Sequence, residues 1–201
     1  FEPSYPTDIG KQNLQNLVKT FNCDLIQLKK SPEVYRKIAK IGFDLIGDHE
    51  WPNHVGIHCW PVRVAYKFNI PLTFYGEPRG TIGLGTWASL IDKGGDEWDR
   101  SDIEQYVGMN GYRLNDIMEY DKSIKSEDVI PYIYPSEEEL KFDIKSYTLG
   151  HFFKWEFQEN IKIIKNFGWK SDTKNTEGTF TNFEDLDCGF MPIHHYFKFI
   201  K

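Results

Sequence analysis

The spacing of apolar and polar residues at the start of the chain predicts a helix, a strand and a second helix. Apolar positions in residues 11–19 recur at helical spacing, which predicts the first helix. The short apolar run of residues 21–28 predicts a strand. Ser31-Pro32 is a typical helix start, because a hydroxyl side chain can cap the helix and proline needs no N–H at its first position.

The next part of the chain predicts a loop, a helix and a strand. Residues 47–60 are rich in histidine and tryptophan and irregular in pattern, which predicts a loop. Pro61 begins a short helix through residue 67. The apolar run at residues 72–75 predicts a buried strand that ends at Gly76. Alternating helices and strands are typical of an α/β domain with a parallel sheet, so we expect an α/β core over residues 1–77.

From residue 78 the pattern predicts a mostly helical region, residues 78–201, packed on that sheet. It begins with a glycine-rich connection over residues 80–95 that matches neither the dinucleotide-binding fingerprint nor a Walker loop. Acidic or amphipathic stretches then predict helices. They lie at residues 101–106, 114–120, 136–140 and 152–167, and the last of them stops at Gly168.

Composition and net charge narrow the classes of function that this protein can have. The 201 residues include 24 Lys and Arg against 30 Asp and Glu, a net charge of -6, which argues against nucleic acid as a partner. The three cysteines are an odd number at wide spacing, which favours reduced thiols in a cytoplasmic protein. No apolar run approaches the roughly 18 residues that span a membrane, so we expect no membrane insertion.

The histidine-rich segment offers several donors for a site: His49, Glu50, His54 and His58. The i, i+4 spacing of His54 and His58 raises the question of a metal. However, H-E-x-x-H is absent, proline and glycine interrupt the stretch, and no cysteine pair accompanies it. Polar packing and a substrate- or ammonia-handling loop remain open alternatives, and no residue is assigned to a metal.

Other candidate segments are less specific. Gly76-Glu77, at a strand end, could bring backbone and a carboxylate to a ligand or Mg²⁺, although a plain turn explains the same residues. The segment from Gly150 to Glu156 contains a histidine and Lys154 near a helix start, a reasonable anion site. His194-His195 receives no role.

Taken together, these segments resemble the N-acetyl sugar amidotransferase family of bacterial surface-polysaccharide and flagellar-sugar biosynthesis. The resemblance implies a parallel sheet like that of adenine nucleotide α-hydrolases and N-type ATP pyrophosphatases. It implies Mg²⁺ and ATP, which activates the acetamido oxygen of an N-acetylated sugar or nucleotide sugar, and ammonia from a glutaminase partner, which leaves an acetamidino group. The matching stretches are Gly47–His58, Pro61–Glu77, Tyr134–Leu140, Gly150–Gly168 and Glu177–Asn182.

The resemblance also implies roles for individual residues. Glu77, His49 and Glu50 would be catalytic, and Gly76 with Glu77 would bind ATP. Trp51 would stack on the sugar, and the other substrate-binding residues would be His54, Lys154 and Trp155.

Two features of the family are absent from this sequence: a Ser-Gly-Gly-Lys-Asp-Ser phosphate loop and an N-terminal cysteine ribbon. Both would lie before Phe1, so we expect the chain to be the C-terminal two-thirds of such an enzyme. The α/β core of residues 1–77 would then lack its first strand, and ATP hydrolysis would be severely impaired. The alternatives are another ATP pyrophosphatase, a scaffold that binds a glutaminase, and a sugar-binding module.

Overall fold

The computed structural model describes residues 2–76, 114–136 and 138–199, and about half of these residues are helical. Elements are numbered in chain order through these described residues. The helices are α1 (Asp8–Phe21), α2 (Pro32–Ile46), α3 (Trp51–Lys67), α4 (Leu114–Tyr120), α5 (Ser126–Val129), a 3-10 helix (Ile130–Tyr132), α6 (Leu149–Phe152), α7 (Phe157–Lys165) and α8 (Met191–Phe199). The strands are β1 (Leu72–Tyr75) and β2 (Lys145–Thr148).

The two strands form a parallel pair. Leu72 lies opposite Lys145 and Tyr75 lies opposite Thr148, so both strands end at the same edge. Strand β1 is confirmed at the predicted residues, but the prediction that it is buried is wrong, because Leu72 and Phe74 are 42% and 56% exposed. Strand β2 was not predicted, because Lys-Ser-Tyr-Thr carries little apolar signal. The described residues thus combine helices with a small parallel sheet.

The strand predicted at residues 21–28 is wrong. Helix α1 continues to Phe21 and ends at Asn22, whose φ of 48° is left-handed and turns the chain away. No strand or helix is assigned between residues 23 and 31. Leu25 and Ile26 are exposed rather than buried in a sheet. Local apolar character therefore did not lead to strand pairing here.

The loop predicted at residues 47–60 is also wrong over most of its length. Helix α3 begins at Trp51 and continues through Pro61 to Lys67. Pro52 fits the first turn, where an N–H would have no partner in the helix. Pro61 lies inside the helix and removes one backbone hydrogen bond. Burial of a continuous apolar face stabilises the helix by more than the loss of that bond costs. That face consists of Trp51, Val55, Cys59, Val62 and Ala65.

Two of the helices predicted in the second region take other forms. The helix predicted over residues 152–167 is interrupted, since Phe153 and Glu156 have extended backbone between α6 and α7. At the helix predicted from Ser136, the described residues form one turn, in which Ser136 and Glu139 each accept a hydrogen bond from the other's backbone N–H. The helix predicted over residues 114–120 is confirmed as α4. The glycine-rich connection and the helix predicted at residues 101–106 lie outside the described residues.

One hydrophobic cluster joins both parts of the described chain. It packs residues of α2 and α3 against residues that follow position 113. The division at residue 77 stays a prediction, but the core is shared across it. The buried members are Ile38, Ile41, Trp51, Val55, Cys59, Val62, Ala65, Ile117, Ile124, Val129, Tyr132, Tyr134 and Ile144.

The N-terminal segment is attached to a late part of the chain. Pro6 forms an antiparallel bridge with Cys188, and the N–H of Gly189 donates to the carbonyl of Tyr5 at 2.9 Å. A Cβ at Gly189 would lie 2.6 Å from the Tyr5 ring, so a larger residue here would displace that ring. Among the described residues, no helix is long and apolar enough to cross a membrane.

Thr7 caps helix α1, and we expect Thr7→Ala to lower the free energy of unfolding by about 1 kcal/mol. Its hydroxyl oxygen accepts the N–H of Gly10 at 3.0 Å, and the hydroxyl also donates to the carbonyl of Leu186. Ser31→Ala is the matched control, because Ser31 occupies the same position before α2 without a side-chain capping bond. Urea unfolding followed by circular dichroism measures both. Equal losses in the two variants would contradict the assignment.

Candidate functional site

The carboxyl end of β1 packs against the histidine-bearing side of α3. The hydroxyl of Tyr75 donates to the carbonyl of His58 at 3.0 Å, and the two rings lie 5.1 Å apart. His58 is one helical turn after His54, on the same face. Burial, together with a smaller effect of the neighbouring His54, lowers the pKa of His58 to about 3. The carboxyl end of β1 and the histidine segment on α3 thus meet at this contact.

Gly76 follows Tyr75 in the chain and is exposed to solvent. A Cβ built on Gly76 would meet no atom within 4 Å, so packing does not require glycine at that position. Glu77, the residue given the main catalytic and ATP-binding role, lies outside the described residues.

Glu50 is the centre of a buried polar network just before α3. Its side chain is 1% exposed, and Tyr35 Oη donates to Glu50 Oε1 at 3.2 Å. Asn53 Nδ2 and the hydroxyl of Ser4 donate to Glu50 Oε2. The backbone N–H of Glu50 donates to Asp48 Oδ1 at 2.9 Å. In this arrangement Glu50 fixes the start of α3, and its carboxyl group is enclosed by protein donors.

Lys30 completes the network on its outer side. Its ammonium donates to Asn53 Oδ1 and lies 4.0 Å from the centre of the Tyr35 ring. Burial lowers the pKa of Lys30 to about 8, although the Glu50 carboxyl group opposes the shift. The network therefore brings one cation and one carboxyl group beneath the histidine segment.

A second cluster, the Asp48–His54–His194 cluster, lies beside this network. Asp48 Oδ1 is 3.3 Å from His194 Nδ1, and Asp48 Oδ2 is 3.9 Å from His54 Nδ1. One side-chain ligand atom from each residue lies within 4.8 Å of the others. Asp48 and His194 are buried, and the His54 side chain is 24% exposed. The cluster therefore has one side accessible to solvent.

His49 borders the cluster without joining it. Its ring lies 5.8 Å from that of His194, and its Nε2 is 3.9 Å from Glu50 Oε1. Burial lowers the pKa of His49, against the opposing effect of Glu50. At neutral pH its imidazole is accordingly the uncharged form, which can accept a proton.

Trp51 does not present a surface for stacking. Its side chain is 4% exposed and belongs to the hydrophobic cluster on the inner face of α3. The loop expected at this position would have left the ring accessible, whereas the helix that begins here turns it inward. The buried position of the Trp51 ring therefore contradicts the prediction that it stacks on a sugar.

Trp155 lines an open aromatic pocket of about 650 Å³. The pocket combines large apolar rings with Glu184, Asp185 and His195, a composition suited to a ligand with both apolar and hydroxyl faces. The indole N–H of Trp155 is buried and has no hydrogen-bond partner among the described residues. The aromatic members of the lining are Trp155, Phe157, Trp169, Phe180 and Phe183.

Lys154 lies next to Trp155 in the sequence but is not part of the pocket lining. Its side chain is 84% exposed and forms an ion pair with Glu156 at 2.7 Å. The hydrogen bond and charge of Glu156 raise the pKa of Lys154. A substrate-binding role for Lys154 has no support from its position.

Sequence reasoning missed Asp48, Asp185 and the two adjacent histidines of α8. His194 joins the Asp48–His54–His194 cluster, whereas His195 Nδ1 lies 3.3 Å from Asp185 Oδ2 at the pocket. The His-His pair was visible in the sequence, but its partners lie far away along the chain. Asp48 directly precedes His49, which the sequence analysis chose as a candidate, and this adjacency is the signal that could have identified Asp48.

Comparisons with known proteins do not identify a family. No protein-family model matches the chain, and a search of curated proteins finds no match. The resemblance to N-acetyl sugar amidotransferases therefore stays a prediction.

Proposed function

We propose that the chain belongs to an ATP-dependent amidotransferase that converts the acetamido group of an N-acetylated sugar to an acetamidino group. The observation that carries the proposal is the placement of two candidate segments after adjacent parallel strands. Gly76 follows β1 directly, and Trp155 follows β2 by way of α6. Ligands of α/β proteins bind beyond the carboxyl ends of parallel strands. A larger, adenine nucleotide α-hydrolase-like sheet is part of the same proposal.

The aromatic pocket is the proposed sugar site. The faces of Trp155 and Trp169 offer apolar surface to the C–H face of a sugar ring. Asp185 and His195 at the same pocket provide hydrogen-bond partners for hydroxyl groups. In this proposal the pocket selects the substrate class.

The proposed reaction activates a poor leaving group and then displaces it. The acetamido oxygen attacks the α-phosphorus of ATP and pyrophosphate leaves, while Mg²⁺ offsets the phosphate charge. Ammonia from a glutaminase partner attacks the activated carbon, and AMP leaves with the former carbonyl oxygen. The neutral imidazole of His49 is suited to accept the proton that ammonia loses. Glu77 remains the proposed ATP and Mg²⁺ carboxylate, and Glu50 holds the segment in place.

The sugar site predicts that Trp155→Ala weakens binding of UDP-N-acetylglucosamine at least about tenfold, because the aromatic stacking surface is lost. Tryptophan fluorescence or calorimetric titration measures the affinity. Lys154→Ala is the neighbouring control and should bind as the parent does, since Lys154 lies outside the pocket lining. Unchanged affinity in Trp155→Ala would remove the pocket from the proposal.

The reaction itself is tested in a protein that also carries the phosphate-loop segment implied by the resemblance, by mass spectrometry of the sugar after incubation with ATP, Mg²⁺ and ammonium. Pyrophosphate release that requires both the sugar and ammonium, with replacement of oxygen by NH, supports the proposed amidotransferase. A sugar-binding module is the second candidate, and the aromatic pocket favours it. Thermal stabilisation by the sugar but not by ATP with Mg²⁺ would favour the module.

A further inference from the structure

We propose that the Asp48–His54–His194 cluster is a binding site for a divalent first-row transition metal, with Zn²⁺ as the favoured ion. The inference goes beyond the proposed reaction, which assigns Mg²⁺ to the phosphates and gives no role to His194. It rests on three ligand atoms from three parts of the chain that converge within 4.8 Å of one another. Asp48 lies between α2 and α3, His54 lies in the first turn of α3, and His194 lies in α8.

The spacing of the ligand atoms fits a small ion. With metal–ligand distances of about 2.0–2.2 Å, neighbouring ligands of a tetrahedral ion lie roughly 3.3–3.5 Å apart. Asp48 Oδ1 and His194 Nδ1 are already 3.3 Å apart. The other carboxylate oxygen, Asp48 Oδ2, lies 3.9 Å from His54 Nδ1, so metal binding would require a shift of a few tenths of an ångström on this side.

The donor set selects the class of metal. Two imidazoles with one carboxylate suit zinc and related transition metals, whereas Mg²⁺ and Ca²⁺ prefer oxygen ligands. The three protein ligands leave a fourth position on the side where His54 meets solvent. A site with three protein ligands and one open position is the arrangement of catalytic rather than structural zinc.

The surroundings hold the carboxylate ligand in place. Asp48 Oδ1 accepts the backbone N–H of Glu50 at 2.9 Å, and the N–H of Asp48 donates to the carbonyl of Gly42 at 3.3 Å. Hydrogen bonds of this kind orient metal ligands and strengthen binding. The ring of His49 lies 5.8 Å from that of His194 and covers another side of the site. The buried network around Glu50 thus also holds Asp48, a ligand of the proposed metal site, in position.

The alternative is a metal-free cluster in which Asp48 pairs with the histidines. In that alternative the two imidazole rings lie 5.0 Å apart and contact different oxygens of one carboxylate. A metal ion would be bound by the same side chains, with both rings in their neutral form. The two arrangements differ in one measurable property, which is stoichiometric metal affinity.

The test is titration of the chelator-treated 201-residue chain with Zn²⁺ by calorimetry, and with Co²⁺ by visible absorption. We expect one equivalent of Zn²⁺ to bind in the micromolar range or tighter, with a Co²⁺ spectrum typical of four-coordinate nitrogen and oxygen ligands. His54→Ala should weaken Zn²⁺ binding at least about 100-fold, and Asp48→Asn should do the same. Circular dichroism of each variant establishes that it is folded.

His195→Ala is the matched control, because His195 adjoins His194 on α8 but faces Asp185. It should retain the parent affinity and the parent increase in melting temperature with Zn²⁺. Absence of stoichiometric binding in the parent would overturn the proposal, as would equal affinity in folded His54→Ala. Neither readout depends on the sugar, ATP or turnover, so the metal site and the amidotransferase can fail independently.

Discussion

Glu50→Gln is expected to lower the free energy of unfolding by about 2–3 kcal/mol, although it preserves the shape of the side chain. Both carboxyl oxygens accept protein donors: Tyr35 bonds one, and Asn53 with Ser4 bonds the other. An amide supplies one oxygen and one NH₂, so an NH₂ turned towards Tyr35 removes the acceptor of that hydroxyl, whose proton is then left without a partner. In a side chain that is 1% exposed, water cannot relieve that conflict.

Glu33→Gln provides the matched control for this substitution. Glu33 forms an exposed ion pair with Lys37 at 3.1 Å on α2, and its loss should change stability by no more than about 0.5 kcal/mol. Chemical unfolding of both variants at neutral pH measures the difference. A Glu50→Gln variant as stable as Glu33→Gln would show that the buried network does not fix the start of α3.

Acidification is expected to destabilise the protein through His58 by about 2–3 kcal/mol between pH 7 and pH 4.5. Burial lowers the pKa of His58 from 6.5 to about 3 in the folded chain. Between these values the unfolded chain binds a proton that the folded chain does not, so stability falls as the pH is lowered. Below pH 3 this contribution stops changing, because His58 is then protonated in both states.

The comparison that isolates His58 is the pH dependence of stability in the parent and in His58→Gln. The variant can be less stable at pH 7, since a buried side chain has changed. What matters is that its loss between pH 7 and pH 4.5 should be smaller than the parent's by the stated amount. Parallel curves for the two proteins would show that His58 is not the acid-sensitive group.

Elements with strong local signals were predictable from the sequence. Helix α2 begins after Ser31 as the proline signal indicated, and β1 occupies the predicted residues 72–75. The start of α3 was not predictable from the sequence. Pro61 carries the proline signal of a helix start, but it lies inside a helix that is maintained by tertiary packing. The apolar run at residues 21–28 failed for the opposite reason, since no partner strand pairs with it among the described residues.

The sequence drew attention to segments that the structure places among clustered polar or aromatic side chains, while their assignment to a functional site stays a prediction. The segment around His49 and His54 does hold a convergent polar cluster, and Trp155 does line a pocket. His194 could not be connected to His54, because a contact over 140 residues leaves no trace in local spacing. The inward turn of Trp51 followed from a helix that the pattern did not reveal.

The bridge between Pro6 and Cys188 has a consequence for the order in which the protein completes its structure on the ribosome. Residues 6 and 7 contact residues that are synthesised about 180 positions later, as the bond from Thr7 to Leu186 illustrates. At typical translation rates, that is a delay of roughly 10 to 40 s. During this interval α1 lacks its anchor. Synthesis of residues 186–189, rather than formation of the central core, then becomes the step that attaches the segment before α1.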